Sequence, residues 1–274
     1  MVVTRPKADA PAWLDGLAQA GFGTVALPLI DILPLADQHA LEQARSRQAS
    51  YHALMFVSGN AVGHFYEVKV PIVPVNSAWI AIKTRAYATG PGTVAALRQA
   101  GFPADRIDAP APDAAQFDSE ALWALVQPQI KPGWRVLIVR GAGAATGAST
   151  GASNGTLTDA LFKPDGRDWL ARQLCTAGAQ VDVVAAYQRA MPRFTPAQKA
   201  DAQQHATDGS VWLFSSSEAL ANLAAWLPGQ DWSAARAVAT HSRIAATAKS
   251  LGFGVVCESR PTLPSVVASI ESMG

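Results

Sequence analysis

The chain is poor in cysteine, in charge and in long apolar runs. Its two cysteines, Cys175 and Cys257, lie far apart and form no CxxC pair. That excludes a disulfide scaffold and a thiolate zinc site, and both thiols are expected to be buried in a reducing compartment. Charged residues make up 16% and the formal net charge is +1, against roughly 25% charged residues in an average globular protein. A general nucleic-acid binder carries a basic excess, so no nucleic-acid partner is expected, although a local basic pocket is compatible with this balance. No apolar stretch approaches the ~20 residues of a membrane helix. The first residues, MVVTRP, enter a strand and not the h-region of an export signal. The expectation is a cytoplasmic protein without a membrane partner. Reactive motifs are missing too. No His, Asp, Glu and Cys residues cluster at metal-ligand spacing, so no metal is expected. There is no GxSxG elbow, no P-loop lysine and no carboxylate pair for glycoside-type acid/base work.

What is present is a duplicated α/β grammar. Hydrophobic residues are 49% of 274, enough for two medium domains or one large one. Ala86 to Phe102 (AYATGPGTVAALRQAGF) and Ala237 to Phe253 (AVATHSRIAATAKSLGF) align without a gap. Each reads as an apolar strand, Ala-Thr, a short turn, a helix and Gly-Phe. Upstream, Leu54 to Val62 (LMFVSGNAV) pairs with Trp212 to Leu220 (WLFSSSEAL) in the same style. A duplicated unit predicts two similar lobes with a cleft between them.

Short β-branched runs and helical spacing alternate along the chain. Strands are predicted at Val2–Thr4, His52–Val57, Trp79–Ile82, Ala86–Thr89, Arg135–Val139, Val181–Ala186, Val211–Phe214, Ala237–Thr240 and Val255–Glu258. Helices fall between them, with Asp118-Ser119 as one N-cap signal. This alternation means parallel sheets with helices on both faces. Two extended stretches are broken by proline: Thr24–Leu35 with Pro28 and Pro34, and Tyr187–Pro196 with Pro192 and Pro196. Proline lacks a ladder donor, so these read as edge strands or interdomain crossings. Residues 37–189 then form an inserted α/β domain, and 1–36 with 190–274 a split one; a single cut near the midpoint is the alternative. Gly141–Asp165 is rich in Gly, Ala, Ser and Thr and reads as a flexible loop inside the inserted domain.

Open α/β sheets bind ligands outside the carboxyl ends of their strands. Those ends carry Thr4-Arg5-Pro6, Ser58-Gly59-Asn60, Thr89-Gly90-Pro91 and Arg140-Gly141, then Ser215-Ser216-Ser217, Thr240-His241-Ser242-Arg243 and Ser259-Arg260-Pro261. Hydroxyls, amides and guanidiniums dominate, with hardly any carboxylate. Helix N-termini and such donors favour anions, so the expected ligand is a small anion with many acceptors. The candidate binding residues are Arg5, Ser58, Asn60, Thr89, Gly90, Arg140, Ser215, Ser216, Thr240 and Ser242. Against this stands the plainer reading that Ser58, Thr89, Ser216 and Thr240 are N-caps alone. Of five histidines, only His241 lies at a strand end, where capping or ligand contact suits it better than catalysis. The run RGAGAATG after Arg135–Val139 resembles a dinucleotide fingerprint, but its glycines open no helix directly and the next strand ends in Tyr187, not an acid.

Taken in order, these motifs resemble the uroporphyrinogen-III synthase family. The resemblance rests on Thr4-Arg5-Pro6, Pro28-Leu29-Ile30, the F-x-S-x-NAV turn at Phe56–Val62, and the G-x-x-T helix start and Gly-Phe close of Gly90–Phe102. It continues through VLIVRG at Val136–Gly141, Trp169-Leu170, and V-x-x-x-x-Y-x-R-x-x-P from Val183 to Pro192. It spans nearly the whole chain. Gly141–Asp165 departs from it as an insertion, and Thr240-His241-Ser242-Arg243 departs from the family's usual G-P-x-T turn. The resemblance implies two flavodoxin-like, three-layer lobes joined by two extended β crossings. It implies closure of linear hydroxymethylbilane to uroporphyrinogen III, with inversion of the last pyrrole ring and loss of water, in haem biosynthesis. No cofactor is implied. A monomer is the default, with hand-over from the preceding pathway enzyme a further expectation. The substrate is a polyanion, which suits the donor inventory. Tyr187 is the candidate catalytic proton donor, since a phenol with a pKa near ~10 stays protonated at neutral pH; the plainer reading is that it packs at the crossing. Two rival functions stand beside this one: a non-catalytic two-lobed receptor for a small anion, and a nucleotide-dependent enzyme using Gly141–Gly147.

Overall fold

The computed structural model describes residues 1–66, 83–114, 116–143 and 169–273. The predicted extended piece Trp79–Ile82 and residues 144–165 of the predicted loop lie outside them. In chain order the first elements are β1 (Val2–Val3), α1 (Ala10–Gln19), β2 (Val25–Ala26), β3 (Asp31–Leu33), α2 (His39–Ser46), β4 (Ala53–Phe56) and α3 (Gly59–Tyr66). Then come β5 (Arg85–Ala88), α4 (Pro91–Gln99), β6 (Ile107–Asp108), α5 (Ser119–Val126), β7 (Arg135–Ala142), α6 (Trp169–Thr176) and β8 (Gln180–Ala190). The chain continues with α7 (Pro196–His205), β9 (Val211–Phe214), α8 (Ser217–Trp226), β10 (Arg236–Ala239), α9 (Ser242–Leu251), β11 (Val255–Glu258) and α10 (Leu263–Glu271).

The described residues divide into two units, Met1–Ile32 with Arg189–Gly274, and Leu33–Gln188. The chain passes from one to the other inside β3 and again inside β8. Each unit is built on one sheet, and the pairings β1–β2, β1–β9, β9–β10 and β10–β11 of the first are parallel. So are β4–β5, β4–β7, β5–β6 and β7–β8 of the second.

The first sheet runs β11-β10-β9-β1-β2. Successive side chains on a strand point to opposite faces, and here both faces are covered. Val2, Trp212, Phe214, Ala237 and Ala239 join a core with Ala202 of α7, Leu220 and Leu223 of α8, and Ile244 and Ala248 of α9. Their neighbours Val3, Val211, Leu213 and Val238 join a second core with Ala10 and Leu17 of α1 and Val266 and Ile270 of α10. This is the three-layer, doubly wound arrangement, and it explains why the strands read as continuous apolar runs. The Pro28-Leu29-Ile30 segment serves this core: Leu29 and Ile30 are buried, and the Asn222 side chain of α8 donates to the Leu29 carbonyl at 2.7 Å.

The second sheet runs β3-β8-β7-β4-β5-β6. Ala53, Met55, Tyr87, Val136, Ile138 and Val181 face Leu122 and Val126 of α5 and Leu170 and Leu174 of α6. Asp118 caps α5 as predicted, its Oδ1 accepting from the Ala121 N–H at 2.8 Å. The alternate residues Leu54, Phe56, Leu137 and Val139 are buried too, on the side where α3 and α4 pack. The proline-broken stretch Thr24–Leu35 resolves into β2 and β3, edge strands of the two sheets in the order given. Pro28 and Pro34 sit outside both, where no ladder donor is lost.

Four expectations need correcting. Strand β7 does not stop at Val139, and Gly141 is not loop: it and Ala142 pair with Tyr187 and Gln188 of β8. Strand β8 likewise runs past Ala186 to Ala190, short of Pro192. A register shift between Arg140 and Gly141 lets both strands continue. Strand β6, two residues long, carries too little pattern to be predicted. Cys175 and Cys257 are half-buried, not fully buried.

Candidate functional site

In the second unit β8, β7, β4 and β5 are successive neighbours. Their carboxyl ends therefore line up Tyr187, Arg140, Ser58, and Thr89 with Gly90 along one edge. The tightest contacts gather around Tyr187. The residue is 4% exposed, and its hydroxyl lies 3.1 Å from Ser58 Oγ. Ser58 Oγ also accepts from the Ala61 N–H at 3.1 Å, capping α3. The predicted cap is therefore present, and the contact with the candidate donor comes in addition to it. Asn60 follows in the first turn of α3 and is half-buried.

Gly141 makes the arrangement possible. A Cβ there would stand 2.5 Å from Tyr187 Cζ, 2.6 Å from Cε2 and 2.9 Å from the hydroxyl oxygen. The phenol fills the space that any other residue would occupy. The register shift after Arg140 places Tyr187, and not Ala186, opposite this glycine. A bulge of this kind commonly re-aims a side chain at the rim of a sheet. His64, in the last turn of α3, adds a contact that sequence reasoning missed: its ring centroid lies 5.5 Å from that of Tyr187, with the planes tilted by 31°. Burial, reinforced by the charge of Arg45, lowers the His64 pKa, so the ring is neutral imidazole at pH 7.

Thr89 and Gly90 are half-buried at the end of β5. Gly90 is the N-cap of α4 with extended backbone and no side chain to satisfy that helix's first N–H groups. Pro91 brings no N–H to this helix start, and the N–H groups of Thr93 and Val94 both donate to the Gly90 carbonyl at 3.1 Å.

In the first unit β1, β9 and β10 are likewise neighbours, and their ends carry Arg5, Ser215 with Ser216, and Thr240 with Ser242. Thr4 has a structural role: its Oγ1 donates to the Leu213 carbonyl at 2.6 Å, tying β1 to β9. The Arg5 guanidinium carbon stacks over the Trp13 ring at 4.2 Å. Its Nε is enclosed with no hydrogen-bond partner among the described residues. Burial pushes the Arg5 pKa down to about 10, with Asp9 opposing weakly. Arg5 is a desolvated cation with incomplete pairing, the electrostatic state that an arriving carboxylate relieves.

Ser216 caps α8, its Oγ accepting from the Glu218 N–H at 3.1 Å. Glu218 amends the expectation of hardly any carboxylate at the strand ends. Arg189 pairs with it, Nε to Oε2 at 2.9 Å, although the N–H is not aligned on the oxygen, so the contact is ionic. At β10 the cap of α9 is His241, not Thr240: its Nδ1 accepts from the Arg243 N–H at 3.1 Å. Ser242 is the exposed first residue of α9. Among the described residues no three His, Cys, Asp or Glu side chains group as metal ligands. No helix there is long and apolar enough to cross a membrane.

The fold and these edges define a class: a doubly wound α/β protein of two mostly parallel sheets whose strand ends carry hydroxyl, amide and guanidinium donors. A family profile described as "Uroporphyrinogen-III synthase HemD" matches residues 12–148 and 158–268, most of the chain. The chain belongs to the uroporphyrinogen-III synthase family, enzymes of tetrapyrrole biosynthesis that act on a small-molecule substrate. Its fold is similar to that of uroporphyrinogen-III synthetase from Helicobacter pylori, with TM-score 0.56 and 14% identity over 100% of this chain and 98% of that one. It is also similar to a mutant uroporphyrinogen III synthase from the extremely thermophilic bacterium Thermus thermophilus, with TM-score 0.52 and 14% identity over 99% and 96% of the two chains. Membership in a synthase family leaves the non-catalytic receptor without support.

Proposed function

We propose that the chain is a cyclising hydro-lyase and that Tyr187 is its proton donor. The substrate is linear hydroxymethylbilane and the products are uroporphyrinogen III and water. The terminal hydroxyl takes a proton from the Tyr187 phenol and leaves as water, so the carbon–oxygen bond breaks and a cationic azafulvene remains. The substituted carbon of the last ring attacks it, giving a spiro intermediate that reopens and recloses with that ring inverted. The proton released as the final carbon–carbon bond forms restores the phenol. One positioned acid and enforced proximity are the chemical requirements.

The observation that carries this reading is the seating of Tyr187, with its hydroxyl on Ser58 Oγ and its ring against Gly141. A buried phenol held by a capping hydroxyl at the end of a sheet is a natural donor to a bound oxygen. Arg5 and Arg140, with Ser58, Asn60, Thr89, Gly90, Ser215, Ser216, Thr240 and Ser242, are proposed to bind the acetate and propionate arms. We further propose that the unit bounded by Leu33 and Gln188 acts as an inserted domain within a split one, and that the enzyme works in the cytoplasm as a monomer.

The test uses freshly prepared hydroxymethylbilane and separates the porphyrin isomers after oxidation. Wild-type protein should give type III above the spontaneous type I background. Tyr187→Phe, which keeps the ring and the packing, should lose about 10²–10⁴-fold in turnover with its melting temperature held. Wild-type turnover in that variant removes Tyr187 from the mechanism.

A further inference from the structure

The phenol of Tyr187 meets Gly141, Ser58 and His64. The first two belong to motifs already discussed. His64 belongs to none, yet it stands six residues after the capping serine on the same helix. That helix is held at both ends. Ser58 caps its start, and Arg45 of α2 closes its end, donating from Nε to the Phe65 carbonyl at 2.7 Å and from Nη2 to the His64 carbonyl at 2.6 Å. A cation on the last carbonyls of a helix satisfies groups that have no intrahelical partner and complements the helix dipole. Phe65, next in sequence, is buried edge-on against Phe56 of β4, with ring centroids 5.6 Å apart. The helix can neither fray nor roll without breaking these contacts, so the His64 ring is held where it meets Tyr187.

We infer that His64 is a positioning residue for Tyr187, its ring holding the phenol in register with Ser58. The inference rests on the reading of Tyr187 as the proton donor. Its physical basis is geometric. Gly141 is a strand backbone that the ring cannot pass. Ser58 meets the hydroxyl at one point. The ring contact at His64 adds a second point, on the ring itself. The neutral imidazole adds no cation beside the phenol. Misplacing a reacting group by about 1 Å can cost ~10²-fold in rate, which sets the scale of the effect.

The experiment measures kcat and KM for type III formation in four proteins: wild type, His64→Ala, Tyr187→Phe and the double variant. His64→Ala should lower kcat by roughly 10- to 100-fold, with KM and melting temperature nearly unchanged because the residue is half-buried and outside the main core. In the Tyr187→Phe background the same change should cost less than about twofold, since there is no longer a donor to position. His64→Phe should recover most of the rate lost in His64→Ala. If His64→Ala does not fold, His64→Gln, which keeps length and polarity without a ring, carries the same test. A wild-type kcat in the ring-less variant overturns the inference, and so does an equal fold-loss in both backgrounds. If Tyr187→Phe itself turns over like wild type, the donor reading fails and the inference falls with it. If Tyr187→Phe is impaired while His64 is neutral or simply additive, only the inference fails.

Discussion

Replacing Gly141 with alanine adds one methyl group at the most confined point of the candidate site. The backbone itself accepts the change, because Gly141 does not lie in the left-handed region. The obstacle is the phenol ring, whose Cζ would be 2.5 Å from the new Cβ. Ordinary contact begins at 3.4 Å, so the ring must withdraw by about 0.9 Å or push β7 and β8 apart. The ring is rigid and buried, and it cannot bend away at a flexible end. Overpacking of this kind costs about 1–3 kcal/mol, or roughly 2–10 °C in melting temperature for a chain of this size. The rate should suffer more, by about 10²-fold for a displacement of that order. Initial rates of type III formation, paired with thermal melts, measure both. In the Tyr187→Phe background the added methyl should cost little further rate while still lowering the melting temperature. A folded Gly141→Ala variant with wild-type turnover would refute the reasoning, because the position of the phenol could then not matter.

Ser58→Ala should lower stability by about 1 kcal/mol through loss of the α3 cap, and lower turnover by roughly tenfold, the worth of one hydrogen bond to the phenol; equal turnover would show that the 3.1 Å contact has no part in the reaction. Arg5→Met should raise KM while leaving stability unchanged or higher, since it removes a half-buried and incompletely paired cation; a large loss of melting temperature at unchanged KM would make Arg5 a structural residue. The Tyr51 phenol, which donates to Asp182 at 2.8 Å, is pushed up to about 12 first by burial and then by Asp182. A raised folded pKa contributes stability in full below the unfolded value and loses it as pH rises through the folded one. Urea stability should therefore fall between about pH 10 and 12, and Tyr51→Phe should flatten part of that limb; burial also raises Tyr66 and Tyr87, so some slope remains. An identical slope in the variant would exclude Tyr51.

The sheets were legible because burial on both faces leaves unbroken apolar runs. Val211–Phe214, buried throughout, is found at the predicted bounds; so is Val255–Glu258, an edge strand legible from its β-branched pair and not from burial. What was not legible depended on partners distant in sequence. Gly141 sits in a glycine-rich stretch, and only its pairing with Tyr187 makes it strand. The register shift beside it has no signature in either strand alone. His64 lies on an amphipathic helix like any other, and its contact with Tyr187 needs β8 in place. Glu218 was in plain view in the first turn of α8, but its pairing with Arg189 was not. The strand-end serines were legible as caps, and Ser58 and Ser216 both are caps. That Ser58 also meets a phenol follows from topology.

The duplication explains why this topology offers a site, and its imperfections indicate where the chemistry lies. The strands β4 and β5 are paired neighbours, as are β9 and β10. The helices α3 and α4 pack together, and so do α8 and α9. Gly101 and Gly252 both close their helices at positive φ, +84° and +98°. The next residues, Phe102 and Phe253, both donate back to carbonyls inside the helix, those of Leu97 and Ala248. Backbone and core have been kept in both copies, since each must fold. The polar ends have not. Ser58 and Ser216 occupy matching positions, but two residues on the copies carry Asn60 in one and Glu218 in the other. A carboxylate there repels an anionic substrate unless it is neutralised, and Arg189 supplies that charge. Among the described residues, it is the copy without the carboxylate that sets a phenol beside its capping serine. If the two copies had equal roles, exchanging Asn60 and Glu218 should be neutral; on the proposed reading, Asn60→Glu should raise KM for hydroxymethylbilane, because the substitution brings with it no arginine to neutralise the new carboxylate as Arg189 does for Glu218.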